Sequence, residues 1–437
     1  MNSFYYQFSL AWLSLRRNPW LSAQLILTIA FGIGSFSTAA SAMRSLTGDP
    51  LSGRGSFIYH PQVDPNSASE QEVNKTPPDD LTLRDAMALF MKAPNGRRFI
   101  TSRNWLPLVL DSGNTPSSVM ASTRATTTDF FHIMRAPFLF GGAWADDQDA
   151  NGDQVVVLSR RMNERLFSGK NSLGSVLYIA TKPFKVVGIL DSWNVLPHFY
   201  DLGDGPYADS EDIYVPFQSW LRLPQDYGYG PMVCQAKGAA DKDHNPQSDS
   251  CTWVQLWVEL HGSEVASYEA FLKNYSTVQH SIGRFDRAPN TRLLNAIQWI
   301  HAKHALPGSV RLEFVVSVAL LAICLIAAAG IQIARFRTRY TEIGLRRALG
   351  ASQSLVVQQL LIESAQFGAI SGVLGVAFAF AGVEILRHSA DKFAKYIEVY
   401  YGDLVLALVA SIIISVLTTL GPALSIAKQS PFRQIND

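Results

Sequence analysis

Few residues of this 437-residue chain stand at spacings that chemistry requires, and most such clusters fail one requirement. Gly169-Lys170 looks like the end of a phosphate-binding loop, but Glu164 occupies the position five before that needs glycine, and Asn171 follows where Ser or Thr is needed. His301 and His304 are near enough in sequence to be metal ligands, yet no carboxylate or thiol lies at helical spacing beside them, so they read as a solvated helix face. Asp146, Asp147 and Asp149 fall in a Gly- and Asn-containing stretch that lacks the glycine and glutamate of a calcium loop. No catalytic, metal-ligating or cofactor-binding residue is therefore expected.

The cluster that passes scrutiny is a short charged one. Thr341 to Leu349 predicts a helix closed by Gly350, presenting Glu342, Arg346 and Arg347 to water while Ile343 and Leu349 offer an apolar contact. Such a helix suits docking into a groove on a partner. The bland alternative is a basic loop that contacts anionic lipid headgroups and fixes topology.

The elements that must hold this segment are membrane spans. Trp20 to Met43, Phe314 to Ala334, Ser364 to Val383 and Leu404 to Ala427 contain no Asp, Glu, Lys or Arg, and each is about long enough to cross the ~30 Å hydrocarbon layer as helix. Arg16-Arg17 and the later Ala40-Ser41-Ala42 give the first stretch a signal-peptide look, but its apolar run is longer than a signal core of about 7 to 15 residues and predicts a retained span. Arginines before the first span and between the second and third, with Lys428 and Arg433 after the fourth, place these segments and both termini in the cytoplasm. The spans themselves show no ionisable residue, which argues against a proton- or ion-coupled carrier. Gly368, Gly372 and Gly375 lie on one face of the third and predict close packing against another span, within the chain or across a dimer.

The expected fold is an α-helical membrane protein with four transmembrane helices plus a large α+β periplasmic domain inserted between helices 1 and 2. The expected layout is an amphipathic cytoplasmic-face helix at 1–19, spans at 20–43, 311–335, 356–386 and 403–427, the periplasmic domain at 44–310, a cytoplasmic segment at 336–355, a short periplasmic loop at 387–402 and a tail at 428–437. Within the domain, Gln154 to Leu158 reads as a strand and Ser159 caps a helix through Phe167. Val176 to Ala180 and Phe184 to Leu190 read as two strands joined at Thr181-Lys182-Pro183, followed by strands Asp212 to Phe217 and Trp253 to Leu260 and a helix to about Tyr275. Residues 218–252 read as a peripheral insertion and 291–310 as an outward stalk leading into the second span. Cys234 and Cys251 bracket a polar loop; an oxidising compartment would let them pair, closing about 15 residues for roughly 3 kcal/mol, the alternative being two separate buried thiols. Cys324 reads as a packed thiol. With 37 Lys+Arg against 36 Asp+Glu, the chain lacks the basic excess of a nucleic-acid binder.

Arg339-Tyr340-Thr341-Glu342-Ile343-Gly344-Leu345-Arg346-Arg347-Ala348-Leu349-Gly350-Ala351 resembles the R-E-I-G-I-R-x-A-L-G-A signature of MacB/FtsX/LolC-type (type VII) ABC transporter permeases. Gln154 to Ser159, Arg165-Leu166-Phe167, Leu173-Gly174, Val186 to Leu190 and Ile213 to Pro216 are similar to the periplasmic core domain of that family, and Pro422-Ala423, Ala427 and Pro431 to its C-terminal pattern. Thr341 departs from the family, which usually has Arg there.

The resemblance implies a permease subunit of the bacterial inner membrane whose residues Thr341, Glu342, Ile343, Gly344, Arg346, Arg347, Leu349 and Gly350 contact a cytosolic ABC ATPase. It implies that ATP and Mg are bound by that separate ATPase rather than by this chain. A second permease subunit, identical or homologous, is expected, and a periplasmic adaptor or outer-membrane channel is a further candidate partner. ATP hydrolysis would then move the periplasmic domain to export or extract a substrate, by mechanotransmission. The alternative is an FtsX-like anchored regulator that activates an extracytoplasmic partner without transport; the large domain favours the MacB-like branch. The polar residues Gln24, Thr28, Ser35, Ser37 and Thr38 of the first span hint at a distinct partner permease.

Overall fold

The computed structural model describes residues 18–66, 76–94, 96–110, 117–224, 230–234, 245–305, 307–389 and 393–428. The expected amphipathic helix therefore lies outside the described residues up to position 17, as does the tail from 429 onward. The chain divides into two compact units: residues 49–305, and a helical unit made of the residues before and after them.

The helical unit contains α1 (Pro19–Thr47), a long apolar helix that starts with proline at its first turn, where the missing N–H costs nothing. The other three apolar helices of this unit are Gly308–Arg337, Gln353–Arg387 and Tyr401–Lys428. All four exceed the length their charge-free cores require. At 1.5 Å per residue the 35-residue helix reaches about 52 Å, so part of it runs past any hydrocarbon layer. α1 is the most enclosed of the four. Its Ser22, Ser37 and Ser41 are buried among its neighbours, and the Thr38 hydroxyl donates to the carbonyl of Gly34. Of the polar residues that hinted at a partner permease, Ser37 is buried within the chain, Thr28, Ser35 and Thr38 are half-buried, and Gln24 is exposed.

In the other unit, a mixed sheet is built from β1 (Ile58–Val63), β2 (Leu81–Thr82), β3 (Arg98–Leu110), β4 (Ser117–Thr126), β5 (Phe138–Gly141), β6 (Val155–Leu158), β7 (Val176–Ile179), β8 (Lys182–Leu190), β9 (Ile213–Pro216), β10 (Val233–Cys234), β11 (Cys251–Glu259) and β12 (Thr291–Asn295). Its main path runs β12-β1-β11-β3-β4-β9-β6-β8-β5. The β4/β9 and β6/β8 pairs are parallel. Central strands are buried on both faces, which is why they read as unbroken apolar runs. In β6, Val156 and Leu158 enter one core, with Leu256 and Phe217, while Val155 and Val157 enter the other, with Trp257 and Phe130.

The helices of this unit are α2 (Leu83–Lys92), α3 (Asp129–Met134), α4 (Asp146–Asn151), α5 (Arg160–Phe167), α6 (Phe217–Leu221), α7 (Glu264–Ser281) and α8 (Ala296–Ala302). Ser159 caps α5, its hydroxyl accepting from the Met162 amide at 3.2 Å. Thr82 caps α2 in the same way, and Arg284 grips the buried Asp85 of that first turn with two nitrogens at 2.5 and 2.7 Å.

Several expectations need correction here. Residues 291–302 are no stalk: they form β12, paired antiparallel with β1, and α8, whose Trp299 is 2% exposed and packs in the core. Of the apolar residues that suggested a stalk, Trp299 and Ile300 are buried in the core and Leu293 and Leu294 pack against it. Residues 218–252 are not wholly peripheral either, because Trp220 and Leu223 are buried and β10 pairs with β11. The turn between β7 and β8 is Ala180-Thr181, both at positive φ, rather than the Pro-containing triplet, so Lys182 and Pro183 are strand residues. Asp146 to Asp149 lie in a helical turn, not a loop.

One feature of this unit gave no sequence signal. Arg124 of β4 is 1% exposed, and its guanidinium donates to Glu211, to Asp201 at 2.5 Å and to the Thr101 hydroxyl at 3.2 Å, beneath the Tyr200 ring. Burial works against the charge, but Glu211 and Asp201 outweigh it and hold the guanidinium above its ordinary pKa. Burial likewise raises Asp201, and Arg124 with Arg103 outweighs it, leaving the carboxyl below its usual range.

Candidate coupling site

The helical unit is completed by α9 (Gly308–Arg337), α10 (Tyr340–Ala348), α11 (Gln353–Arg387) and α12 (Tyr401–Lys428). α10 is the charged segment singled out above, and its C-terminus shows why glycine stands at 350. The Gly350 amide donates to the Arg347 carbonyl and the Ala351 amide to that of Arg346, both at 3.1 Å, while Gly350 itself sits at φ +101. This is the Schellman closure, in which the residue after the cap is left-handed. Ser352 then caps α11, accepting from the Leu355 amide.

A ladder of charge ties α10 to both neighbours. Arg335 of α9 donates to Glu363 of α11 at 2.5 Å, and Arg339 donates to the other oxygen of Glu363 at 2.8 Å. Arg339 also lies 3.6 Å from Glu342, which accepts from Arg346 at 2.7 Å, and Arg346 reaches Gln359 of α11 at 3.1 Å. The Arg335 and Glu363 side chains are only 3% and 4% exposed, and the Arg335 guanidinium lies over the Phe367 ring. The helices run beyond the charge-free stretches, and these ionisable residues stand on the added turns. Both sit one residue outside the charge-free stretches, Arg335 after Ala334 and Glu363 before Ser364, and that facing placement was the signal available in the sequence.

The predicted contact residues divide into three groups, the exposed one joined by Leu345, which was not predicted. Ile343 is 6% exposed and packs with Phe336, Val356, Leu360 and Ala423, and Gly344 is buried beside it, so neither is offered to a partner. Glu342 and Arg346 are half-buried and engaged with the ladder, and Arg347 is half-buried too. What faces outward is Thr341, Leu345 and Leu349, the last at 80% exposure. The helix is thus fastened on one side and presents an apolar surface on the other.

Glycines set the packing of α11. A Cβ on Gly368 would meet the Ile412 backbone of α12 at 2.7 Å, and one on Gly375 the Ala30 carbonyl of α1 at 3.2 Å. Gly372 faces Ser411 of α12 and Gly382 faces Thr38 of α1. The small-residue face is therefore shared between two helices of the same chain. Hydroxyls bond across the α11–α12 seam, Ser411 to the Gly368 carbonyl at 2.8 Å and Ser415 to that of Ser364 at 2.7 Å. Small residues and interhelical hydroxyl bonds are what draw helices together in lipid.

In the sheet unit, Cys234 and Cys251 are joined, with S–S 2.02 Å, as a directly paired couple on β10 and β11. Cys324 is a free, buried thiol. His301 and His304 are exposed, and among the described residues no group of three His, Cys, Asp or Glu is placed to hold a metal.

The arrangement of four apolar helices, a helix anchored between two of them and a mixed-sheet unit can be set beside known proteins. The MacB-like periplasmic core domain family matches residues 22–248, more than half of the chain, and the FtsX-like permease C-terminal family matches 314–431. The chain belongs to the MacB/FtsX-like family of ABC transporter permeases, and is a multi-pass membrane protein of the type VII class. It is similar to the pyoverdine export ATP-binding/permease protein PvdT of Pseudomonas fluorescens Pf-5, at 25% identity over 92% of this chain and 55% of that one. It is similar to the macrolide export ATP-binding/permease protein MacB of Psychrobacter arcticus, at 22% identity over 95% and 55%. The ABC transporter permease YknZ of Bacillus subtilis is 25% identical over 56% of this chain and 53% of its own. The chain thus spans about half the length of these relatives. The periplasmic region of MacB from Actinobacillus actinomycetemcomitans aligns with 59% of this chain and 97% of its own at a TM-score of 0.36 and 16% identity.

Proposed function

We propose that this chain is the permease of an export system in which a cytosolic ABC ATPase, supplied as a separate subunit, drives movement of the periplasmic domain. The observation that carries the reading is α10: it is held to α9 and α11 by the Arg335, Glu363, Arg339, Glu342, Arg346 ladder while Leu345 and Leu349 stand exposed. A displacement of α10 by a partner is passed to two membrane helices through charge-assisted bonds and the Ile343 contact, rather than lost in a flexible loop. In this reading Thr341, Leu345 and Leu349 form the contact, and Glu342, Ile343, Gly344, Arg346, Arg347 and Gly350 shape and anchor the helix. ATP and Mg are held by the ATPase, the chain sits in the bacterial inner membrane with both termini cytoplasmic, and a second permease copy completes the assembly.

The test is affinity purification of the full chain in detergent, with mass spectrometry and an ATPase assay, beside Leu349→Asp, which alters an exposed position. Co-purification of an ABC ATPase from the wild type and its loss in Leu349→Asp supports the proposal. If no ATPase accompanies either protein and an extracytoplasmic enzyme does, the FtsX-like anchored regulator is the better reading.

A further inference from the structure

The sheet unit holds a cavity that the coupling reading leaves unused. It is a half-open cleft of about 510 Å3, within the ~300–1,000 Å3 usual for small-molecule sites. Met87 and Phe90 of α2 and Phe217 of α6 form an apolar wall, with Ile100 of β3 beside them. These residues are fixed, since α2 is pinned by the Thr82 cap and the Arg284 clamp on Asp85, and Phe217 and Ile100 are each 1% exposed.

Three carboxylates share the lining, Asp129 of α3 and Asp146 and Asp149 of α4. Among the described residues none of the three makes an ion pair within 4.0 Å. Asp149 accepts from the Thr128 amide at 2.9 Å and Asp129 from the Arg98 amide at 3.4 Å. Arg98 also lines the cavity, but its guanidinium is turned to the Ala93 carbonyl at 2.8 Å and that of Pro94 at 3.3 Å. The Arg98 guanidinium lies over the Phe90 ring, so the cavity joins an apolar wall and one arginine to three carboxylates, an excess of negative charge.

We propose that this cavity binds a small organic ammonium ion, its charged end among Asp129, Asp146 and Asp149 and its apolar body against Met87, Phe90 and Phe217. Charge complementarity selects a cation, and the Met and Phe wall selects one with a hydrocarbon or aromatic body over a bare metal ion. The site stands independently of whether an ATPase drives the chain. Burial, with Asp146 and Asp129 adding to it against the Thr128 amide and the Trp144 indole, pushes Asp149 up to about 6. Burial raises Asp129 as well, opposed by the Arg98 amide, Arg97 and His132. A bound ammonium relieves the crowding of like charge, so binding weakens as pH falls from 7.5 to 5.5 and these carboxyls take up protons.

The experiment uses the full chain in lipid nanodiscs, with 4-phenylbutylamine as probe, 4-phenylbutan-1-ol and 4-phenylbutyrate as controls, empty nanodiscs as background, and saturation-transfer NMR as readout. The amine should bind about tenfold more tightly than the alcohol, and Asp129→Asn/Asp149→Asn should lose that advantage. Asp146→Asn, at an exposed position, should lose part of it, and Met87→Trp, which fills the cavity, should abolish binding of all three compounds. Thermal melts confirm that each variant folds; should the double variant unfold, the Asp146→Asn and Met87→Trp results decide. Equal binding of amine and alcohol, or amine binding unchanged in both Asp146→Asn and Met87→Trp, overturns the proposal, as does amine binding that is insensitive to pH.

Discussion

Glu363 carries two arginines, and Arg124 is carried by two acids, and these opposite cases predict different chemistry for similar cuts. Removing Glu363 takes the carboxylate from Arg335 where both side chains are buried, at a cost of about 3–5 kcal/mol. Glu363→Ala should therefore lower the melting temperature, and Glu363→Gln, which keeps an acceptor, should retain the fold while reducing ATPase stimulation. Arg124→Met instead strands the buried Glu211, while Asp201 keeps Arg103 at 2.8 Å, and should destabilise the sheet unit by a similar amount, read by chemical denaturation. Asp80 tests pH linkage: burial pushes it up to about 6, with Asp79 and Asp201 adding to it against Gln255 and Lys303. Its pKa is raised in the folded state, so the associated stability is present below about pH 4 and is lost as pH rises through about 6. Asp80→Asn should then melt higher than wild type at pH 7.5, with the difference vanishing by pH 4; a constant difference across that range would sink the assignment. Glu363 left a trace in the sequence, at the edge of a charge-free stretch; the roles of Arg124 and Asp80 left none, because their partners lie tens to hundreds of residues away. The serine cap at 159 and the glycine closure at 350 were legible, because both are satisfied by backbone groups within a few residues.

Elements were readable where burial imposes a pattern. The run Val155 to Leu158 announced a strand covered on both faces, and the charge-free stretches announced the four long helices. The stalk reading of 291–310 failed because Leu293, Leu294, Ile297, Trp299 and Ile300 carry the apolar content of a helix, while pairing with β1 makes the first part a strand. Long β3 and β4 escaped notice because Ser, Thr, Asn and Arg populate them; their hydrogen-bond partners, not their composition, hold them in the sheet. The β10–β11 disulfide closes a loop with sequence separation 17 and should contribute about 3 kcal/mol. Cys234→Ser/Cys251→Ser should unfold at correspondingly lower denaturant, and reduction of the wild type should reproduce that shift. A bulky residue at the seam acts between elements: Gly368→Leu drives a side chain into the α12 backbone, and should weaken the helical unit while leaving the melt of the sheet unit in place.

At the scale of the whole molecule, the order of helix, sheet unit and three helices follows from where charges are absent, and topology can be measured directly. In intact cells a membrane-impermeant maleimide should label Met91→Cys, on the exposed face of α2, and should label Leu349→Cys only after the membrane is opened. The reverse pattern would invert the proposed orientation. Family membership was legible because the 339–351 signature is local; which face of α10 is anchored was not, because Ile343 and Leu349 look alike until the neighbours of α10 are present. The α11 seam has one more consequence. Any inherited change at Gly368 or Gly372 adds atoms, whereas Val373 and Phe380, which stand exposed on the same helix, can drift among apolar types without touching a neighbour. Change along α11 is thereby channelled: the outward side has room for other apolar side chains, and the inward one has none.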